Sequence, residues 1–387
     1  MVFIGLCGKP NCGKSTLFSA LTLANVDIAD YPFTTIDPNK GMAYIKTDCP
    51  CTKLQIKCNP QNSKCINGVR FVPINIIDVA GLVPEAHQGK GLGNKFLSDL
   101  AQADCLIQVI DSSGKTNLEG KPGILDPKEE ILFLELEIVY WIKSILQRNW
   151  NKIKGREILV IIEILNGLKI DKLDIEYTAR ELNLNVKNIN WTDEELLLFS
   201  SKLREKSKPI IIAANKTDIL ESKDNIKRLK EIFPNKIIIP ICAVAELALK
   251  KANENGIIDY IPGDTTFIIK KVDIKKEQLE GLNKIKQLIK EKGTGVQDLI
   301  NTAVFDFLNM VVVYPVEDEN KLTNNKGQVL PDAILLKQGS TAQDLAFSIH
   351  TDIGKNFIRA IDVRTKKIIG KDHVLKHNDI IKIIAKT

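Results

Sequence analysis

No apolar run in this chain approaches the roughly 20 residues that a helix needs to cross a bilayer, which excludes a helical membrane span. No leader segment is expected either: a glycine-rich motif begins at residue 8, directly behind the first apolar segment, so a cytosolic, cytoplasmic protein with no membrane partner is expected. The 8 cysteines have no secretory context, so they read as reduced thiols or metal ligands and not as a disulfide framework. There is no large charge excess either. A net charge of +6 is compatible with a nucleic-acid partner but is common in proteins that have none. Hydrophobic content of 44% and charged content of 26% are ordinary for a globular protein, and 387 residues exceed what one core usually organises, which favours two or three domains.

What is present begins with GKPNCGKS. Gly8 to Ser15 match the phosphate-cradling pattern G-x-x-x-x-G-K-[ST] at every fixed position, between an apolar strand (Val2 to Leu6) and a helical STLFSALTLA. Glycines at 8 and 13 let successive N–H groups face one concavity, where the helix N-terminus adds partial positive charge. The expected cradle comprises Gly8, Lys9, Pro10, Asn11, Cys12, Gly13, Lys14, Ser15 and Thr16. Lys14 would neutralise the β- and γ-phosphates, and the Ser15 hydroxyl would ligate Mg²⁺.

Two further stretches suit phosphate sensing. In DYPFTTIDPNKG, Asp30 to Gly41, either Thr34 or Thr35 would complete the Mg²⁺ shell. The strand VRFVPINIIDVAG ends in Asp-x-x-Gly at the carboxyl edge of the sheet, the ligand side of an open α/β fold. There Asp78 would hold Mg²⁺ through water and the Gly81 N–H would reach the γ-phosphate. Lys14, Gly81 and either Thr34 or Thr35 are the candidate catalytic positions. Leu82 stands where a water-positioning glutamine would follow, and glycines at 89, 91 and 93 suit a loop that reorganises; His87 is read either as a loop histidine or as a group that positions water or a partner.

A base-reading motif closes the set. PIIIAANKTD is a core strand ending in Asn215-Lys216-Thr217-Asp218. A carboxylate at Asp218 would accept two hydrogen bonds from guanine N1–H and its amino group, whereas adenine would leave that charge unpaired. Discrimination of this kind reaches about 10⁴-fold. Lys216 would lie along the base, Asn215 would tie the motif to the phosphate loop, and the turn Cys242-Ala243-Val244 would offer backbone N–H to the base O6.

The remaining segments describe architecture. DCPCTKLQIKCNPQNSKC places Cys49, Cys51, Cys58 and Cys65 in a Pro/Asn-rich hairpin, either as a tetrahedral zinc site or as unligated thiols; the C-x-C spacing is unusual for zinc. Helices are expected from Asp126, over Glu176 to Asn185 and from the Thr192 capping box, then over Lys223 to Phe233, Lys275 to Lys292 and Val296 to Met310. From Val311 short strands surround one helix, STAQDLAFSIHTDI through Ile353, capped by Ser340 or Thr341, a β-grasp pattern. Between Lys355 and Lys382 eight Lys/Arg face three Asp, either an RNA-contacting face or a solvated one. The expected fold is α/β, a P-loop NTPase doubly wound sheet over 1–126 and 206–270, with a helical insertion at 127–205, a helical connector at 271–310 and a small β-grasp domain at 311–387.

GKPNCGKS, DYPFTT, DVAGLVPEAHQGKGLGNKFL and NKTD resemble the Obg-related P-loop GTPases of the TRAFAC class, and within them the YchF subfamily, whose C-terminal TGS domain resembles KQGSTAQDLAFSIHTDI onward. The resemblance implies Thr35 over Thr34 as Mg²⁺ ligand, and a K⁺ ion bound by Asn11 in place of an arginine finger. It further implies hydrolysis of GTP to GDP and phosphate, and a ribosome or RNA partner through the TGS domain. Many YchF members carry an altered base-reading motif and prefer ATP, so an ATPase is one alternative to a GTPase; an RNA-binding module with negligible turnover is another. NKTD favours GTP, whereas Cys242 departs from the usual Ser-Ala pattern.

Overall fold

The computed structural model describes residues 2–23, 39–79, 99, 101–271 and 273–386. Its main sheet has seven strands: β1 (Phe3–Cys7), β2 (Lys40–Asp48), β3 (Lys64–Ile66), β4 (Val69–Asp78), β5 (Cys105–Asp111), β6 (Ile210–Asn215) and β7 (Ile238–Pro240). The order is β2-β4-β1-β5-β6-β7, with β3 paired to β4. β1 runs parallel to β4 and β5, β5 to β6 and β6 to β7, while β2 is antiparallel to β4. β5 and β6 are buried along their whole length, as strands covered on both faces must be.

Helices cover both faces. One face packs Ile77, Leu106, Ile110 and Ile212 against the 22-residue helix Pro127–Arg148 and the helices that follow it. Asp126 caps that helix by accepting from Lys128 N, with Pro127 at its first turn. The helix Asp193–Ser207 opens with the expected Thr192–Glu195 capping box. Between them the expected helix over 176–185 lies earlier, at Lys172–Glu181: Asp171 caps it, and the positive φ of Asn183 turns the chain away.

The opposite face packs Leu6, Ile107 and Ile211 against Leu17 and Leu21 of the helix Lys14–Thr22 and against the helix Ala243–Glu254. The same cluster continues through Leu299 and Val304 into Val312, Tyr314 and Val316, so the connector and the next strand share the core of the nucleotide sheet. The single helix expected over 296–310 is a short one, Val296–Asn301, that widens into a π-turn over Thr302–Phe307 and stops at Asn309, whose φ is positive. A two-stranded ribbon, β8 (Ile258–Asp259) and β9 (Ile268–Ile269), was not legible from periodicity.

The C-terminal sheet contains β10 (Met310–Val316), β11 (Ile334–Lys337), β12 (Phe357–Asp362), β13 (Lys367–Ile369) and β14 (Ile380–Ala385), in the order β11-β10-β14-β12-β13. β10 and β14 are parallel and the other neighbours antiparallel, a β-grasp arrangement. Val312 and Tyr314 face the nucleotide sheet, while the alternate residue Val313 joins Leu345 of the helix Ala342–Ile349. Thr341 caps that helix, and the helical run expected to continue through Ile353 breaks at His350, whose extended backbone ends one helix while its ring accepts from Asp352 N to start another.

Candidate functional site

β1, β4, β5 and β6 end along one edge, and the motif residues gather there. Gly13 precedes the helix Lys14–Thr22 with φ +96°, and a Cβ on it would stand 2.1 Å from the Asn215 amide nitrogen. Glycine is therefore required at 13 both by conformation and by the close approach of the base-reading strand. At Gly8 a Cβ would lie 2.4 Å from the Val109 carbonyl oxygen. The Lys14 ammonium pairs with the Asp78 carboxylate at the end of β4. Ser15 is exposed at the helix start and Thr16 is half-buried beside it.

Asn215 joins the two ends of the edge. Its Nδ2 donates to the Cys12 carbonyl (2.9 Å) and its Oδ1 accepts from Ala243 N (3.1 Å). The helix begins at Ala243 with Cys242 at its N-cap, so the turn expected over 242–244 is instead a helix start. One of the N–H groups expected for the base is thus committed to Asn215, and Val244, at the start of the helix, is exposed. Asp218 is exposed and accepts from the Cys242 thiol at 3.4 Å. Burial pushes that thiol up to about 12, so it stays a neutral donor.

Sequence reasoning missed the layer beneath. Asp111, at the end of β5 and paired in register with Asn215, is fully buried and accepts from the Lys216 ammonium (2.7 Å), Thr116 (2.7 Å) and Ser113 (2.6 Å). Burial works to raise its carboxyl, but those donors outweigh it and hold Asp111 below the ordinary carboxylate range. Its position at the carboxyl edge of a core strand was the available signal. The Lys9 side chain is not aimed at solvent: its ammonium donates to the Thr116 and Asn117 carbonyls, both at 2.8 Å, and lies 3.2 Å from Glu130 on the helix Pro127–Arg148. Burial raises the Glu130 carboxyl to about 7 against the opposing pull of Lys9.

Asn11 takes φ +60°, and its Nδ2 donates to the Gly120 carbonyl at 2.9 Å. Pro10 and Cys12 complete the loop; Cys12 is buried, and burial pushes its thiol up to about 12. Thr34, Thr35, Gly81, Leu82, His87 and glycines 89, 91 and 93 lie outside the described residues.

A mostly parallel sheet carrying a phosphate loop, an Asp at the end of β4 and an Asn-Lys-Thr-Asp turn at the end of β6 defines a P-loop nucleotide-binding protein of the GTPase class. Family models agree over most of the chain: 50S ribosome-binding GTPase over residues 3–132, Obg-like GTPase YGR210-like, G4 motif-containing domain over 213–318, and TGS domain over 323–385. An uncharacterized GTP-binding protein of Methanocaldococcus jannaschii is 52% identical over 393 residues, covering 100% of this chain and 99% of the relative. The ribosome-binding ATPase YchF of Bacillus subtilis is 28% identical over 410 residues, covering 97% of each. The crystal structure of a GTP-binding protein from Pyrococcus horikoshii is 40% identical, with a TM-score of 0.79 and 100% coverage of both chains. The chain belongs to the YchF-related, Obg-like family of P-loop GTPases with a C-terminal TGS domain.

Proposed function

We propose that this protein binds GTP with Mg²⁺, hydrolyses it to GDP and phosphate, and uses the nucleotide state to control association with the ribosome or its RNA in the cytoplasm. The observation that carries the guanine assignment is Asn215, whose two hydrogen bonds hold the phosphate loop and the helix start at Ala243 in fixed relation to Asp218. Asp218 is thereby set to accept from guanine N1–H and the amino group; adenine offers no such pair of donors. Lys216, held by Asp111, would support the base, and the helix start at Val244 would approach O6.

The donors available on this edge suit Mg²⁺: an exposed Ser15 hydroxyl at a helix N-terminus and an Asp78 carboxylate that already attracts a cationic group, the Lys14 ammonium. Ser15, Thr35 and Asp78 would hold the ion, which neutralises charge on the phosphates when bound. In the nucleotide complex Lys14 would exchange Asp78 for the β- and γ-phosphates, leaving that carboxylate to the ion. Gly81 would donate its N–H to the γ-phosphate, and Asn11 Oδ1 would contribute to a K⁺ site.

The partner assignment rests on three supports: the TGS module, the ribosome-binding description carried by relatives, and a basic edge. Lys355, Arg359, Arg364, Lys366, Lys367, Lys371 and Lys376 are all exposed around β12 and β13, while Lys382 is tied to Glu319. The name of the Bacillus subtilis relative favours ATP as a second reading. A competition titration of GTP against ATP with Mg²⁺, on wild type and Asp218→Ala, separates the two. A strong guanine preference lost in the variant supports the GTP assignment, and equal or ATP-favouring binding by the wild type overturns it. Phosphate release measured with K⁺ or Na⁺, with and without ribosomes, tests turnover. Negligible release under every condition would leave a nucleotide-switched binding module in place of an enzyme.

A further inference from the structure

Away from the nucleotide edge, four cysteines converge within one hairpin. Cys49 follows β2, Cys51 lies in the short helix Pro50–Leu54, Cys58 in the loop after it and Cys65 in β3. Their sulfur atoms all lie within 4.8 Å of one another. Cys49 and Cys58 are 3.8 Å apart, and Cys51 and Cys65 are 3.7 Å apart. A zinc–thiolate bond is about 2.3 Å, and the corners of a tetrahedron of that radius are about 3.8 Å apart. Disulfide sulfurs stand at about 2.05 Å, and two disulfides would not require all four atoms to share one volume. We propose that Cys49, Cys51, Cys58 and Cys65 bind one structural zinc ion as thiolates, and that this ion fixes the hairpin as the dock for the C-terminal module.

Two independent features support the assignment. The segment from Gln55 to Ser63 has neither helix nor strand beyond turns and bends, and is mostly exposed or half-buried, yet it is hydrogen-bonded to the segment before β11. Asn59 N and Gln61 N donate to the Val329 and Pro331 carbonyls at 3.2 and 2.7 Å, while Val329 N and Ala333 N donate back to Asn59 Oδ1 and Asn62 Oδ1 at 2.6 and 2.9 Å. A loop with so little apolar burial needs another source of order, and a bound metal that exists only in the folded state supplies it. The second feature is Arg70. It is the cross-strand partner of Cys65 and fully buried; among the described residues its guanidinium donates to the neutral oxygens Ser63 Oγ (2.9 Å) and the Leu330 carbonyl (3.0 Å), with the partly buried Asp332 carboxyl, raised by burial, near enough to be pulled down by it. Four thiolates on one divalent zinc carry a net negative charge, which would neutralise the guanidinium that bridges hairpin and C-terminal module.

The test uses full-length protein purified without chelators from zinc-supplemented medium. Elemental analysis by mass spectrometry should find about one zinc per chain, and Cys58→Ser combined with Cys65→Ser should lose it. Protein produced with cobalt in place of zinc should show the thiolate-to-metal charge-transfer band and the intense visible absorption of a tetrahedral tetrathiolate site; this readout needs no variant and decides the matter if the variant does not fold. Stripping the metal from wild type should raise amide exchange at Asn59, Gln61 and Ala333 by roughly tenfold or more and leave Leu17, whose N–H bonds to Gly13, unchanged. Metal-free wild type with free thiols, with Cys49–Cys58 and Cys51–Cys65 disulfides, or with iron in place of zinc would overturn the site as proposed. Unchanged exchange on stripping would overturn the docking role.

Discussion

The ammonium of Lys14 rests on the carboxylate of Asp78, joining the phosphate-loop helix to the end of β4 across 64 residues of sequence. Each group is the other's counter-charge, and in the proposed nucleotide complex each acquires a different partner. Lys14→Ala should therefore weaken GTP binding by roughly 10- to 100-fold, the size of a lost charge-assisted hydrogen bond, and reduce hydrolysis with it. Asp78→Ala should behave differently. It frees Lys14, so GTP affinity in EDTA should be retained or rise while the gain from added Mg²⁺ disappears. Calorimetric titration with and without Mg²⁺ distinguishes the two variants; equal losses in both conditions for Asp78→Ala would contradict the exchange of partners.

Gly13 and Asn215 form one unit, because a Cβ at 13 would collide with the Asn215 amide. Asn215→Ala removes two buried hydrogen bonds and should cost about 2–3 kcal/mol. Gly13→Ala adds left-handed backbone strain of roughly 1–2 kcal/mol to the collision. The double variant should be less destabilised than the sum of the single ones, since truncating Asn215 removes the atom that the added methyl group strikes. Urea unfolding of all three checks this, and strict additivity would separate the two positions.

Glu130 gives the pH dependence a defined sign. Its carboxyl rises from 4.5 to about 7 on folding, so between those values the folded state holds a proton that the unfolded state has released. Stability from this group is fully present below about pH 4.5 and is lost as pH rises through about 7. At roughly 1.4 kcal/mol per unit this amounts to about 3–4 kcal/mol. Glu130→Gln cannot ionise, so whatever its stability at pH 5, its advantage over wild type should grow from pH 5 to pH 8. A difference that stays constant or shrinks in urea titrations at the two values would show that Lys9 keeps Glu130 charged throughout.

His377 should respond in the opposite direction. Its Nδ1 accepts from Val312 N (3.2 Å) and its Nε2 lies 3.0 Å from Thr47 Oγ1, so the neutral ring spans the two sheets. Partial desolvation where this otherwise exposed residue packs between the sheets lowers its basicity against the pull of Asp48. A depressed folded value means that its contribution is present above about pH 6.5 and lost as pH falls. Proteolysis between the modules should accelerate in mild acid for wild type and not for His377→Asn, whose side-chain oxygen can accept from Val312 N without titrating.

On the basic edge, Arg364, Lys366 and Lys367 lie at the exposed β12–β13 turn. If this edge contacts RNA backbone, replacing all three by Ala should weaken binding to a single-stranded RNA at low salt and flatten the salt dependence by about 0.7 in log–log slope per lost contact. Fluorescence anisotropy over a salt series reads both. An unaltered slope would assign these charges to solvation.

Much of this molecule was legible in local sequence because its determinants are local. A phosphate loop is a backbone curl specified by Gly8 and Gly13, the helix start at Thr192 is specified by its own Thr-x-x-Glu, and the alternation in VVVYPV announces a strand with two occupied faces. Where local signals compete, the chain decided otherwise: Asn183, Asn309 and His350 end helices that apolar periodicity alone would have continued. Tertiary structure alone decided the partnerships across long separations. Lys14 meets Asp78, Lys9 meets Glu130, Lys216 meets Asp111, and Arg70 reaches the Leu330 carbonyl. None of these follows from spacing, because each requires groups on different elements to be held by a packed sheet at distances the unfolded chain samples only rarely. Residue types set which chemistry was available, and the closing of β1, β4, β5 and β6 into one sheet set which of those groups face each other.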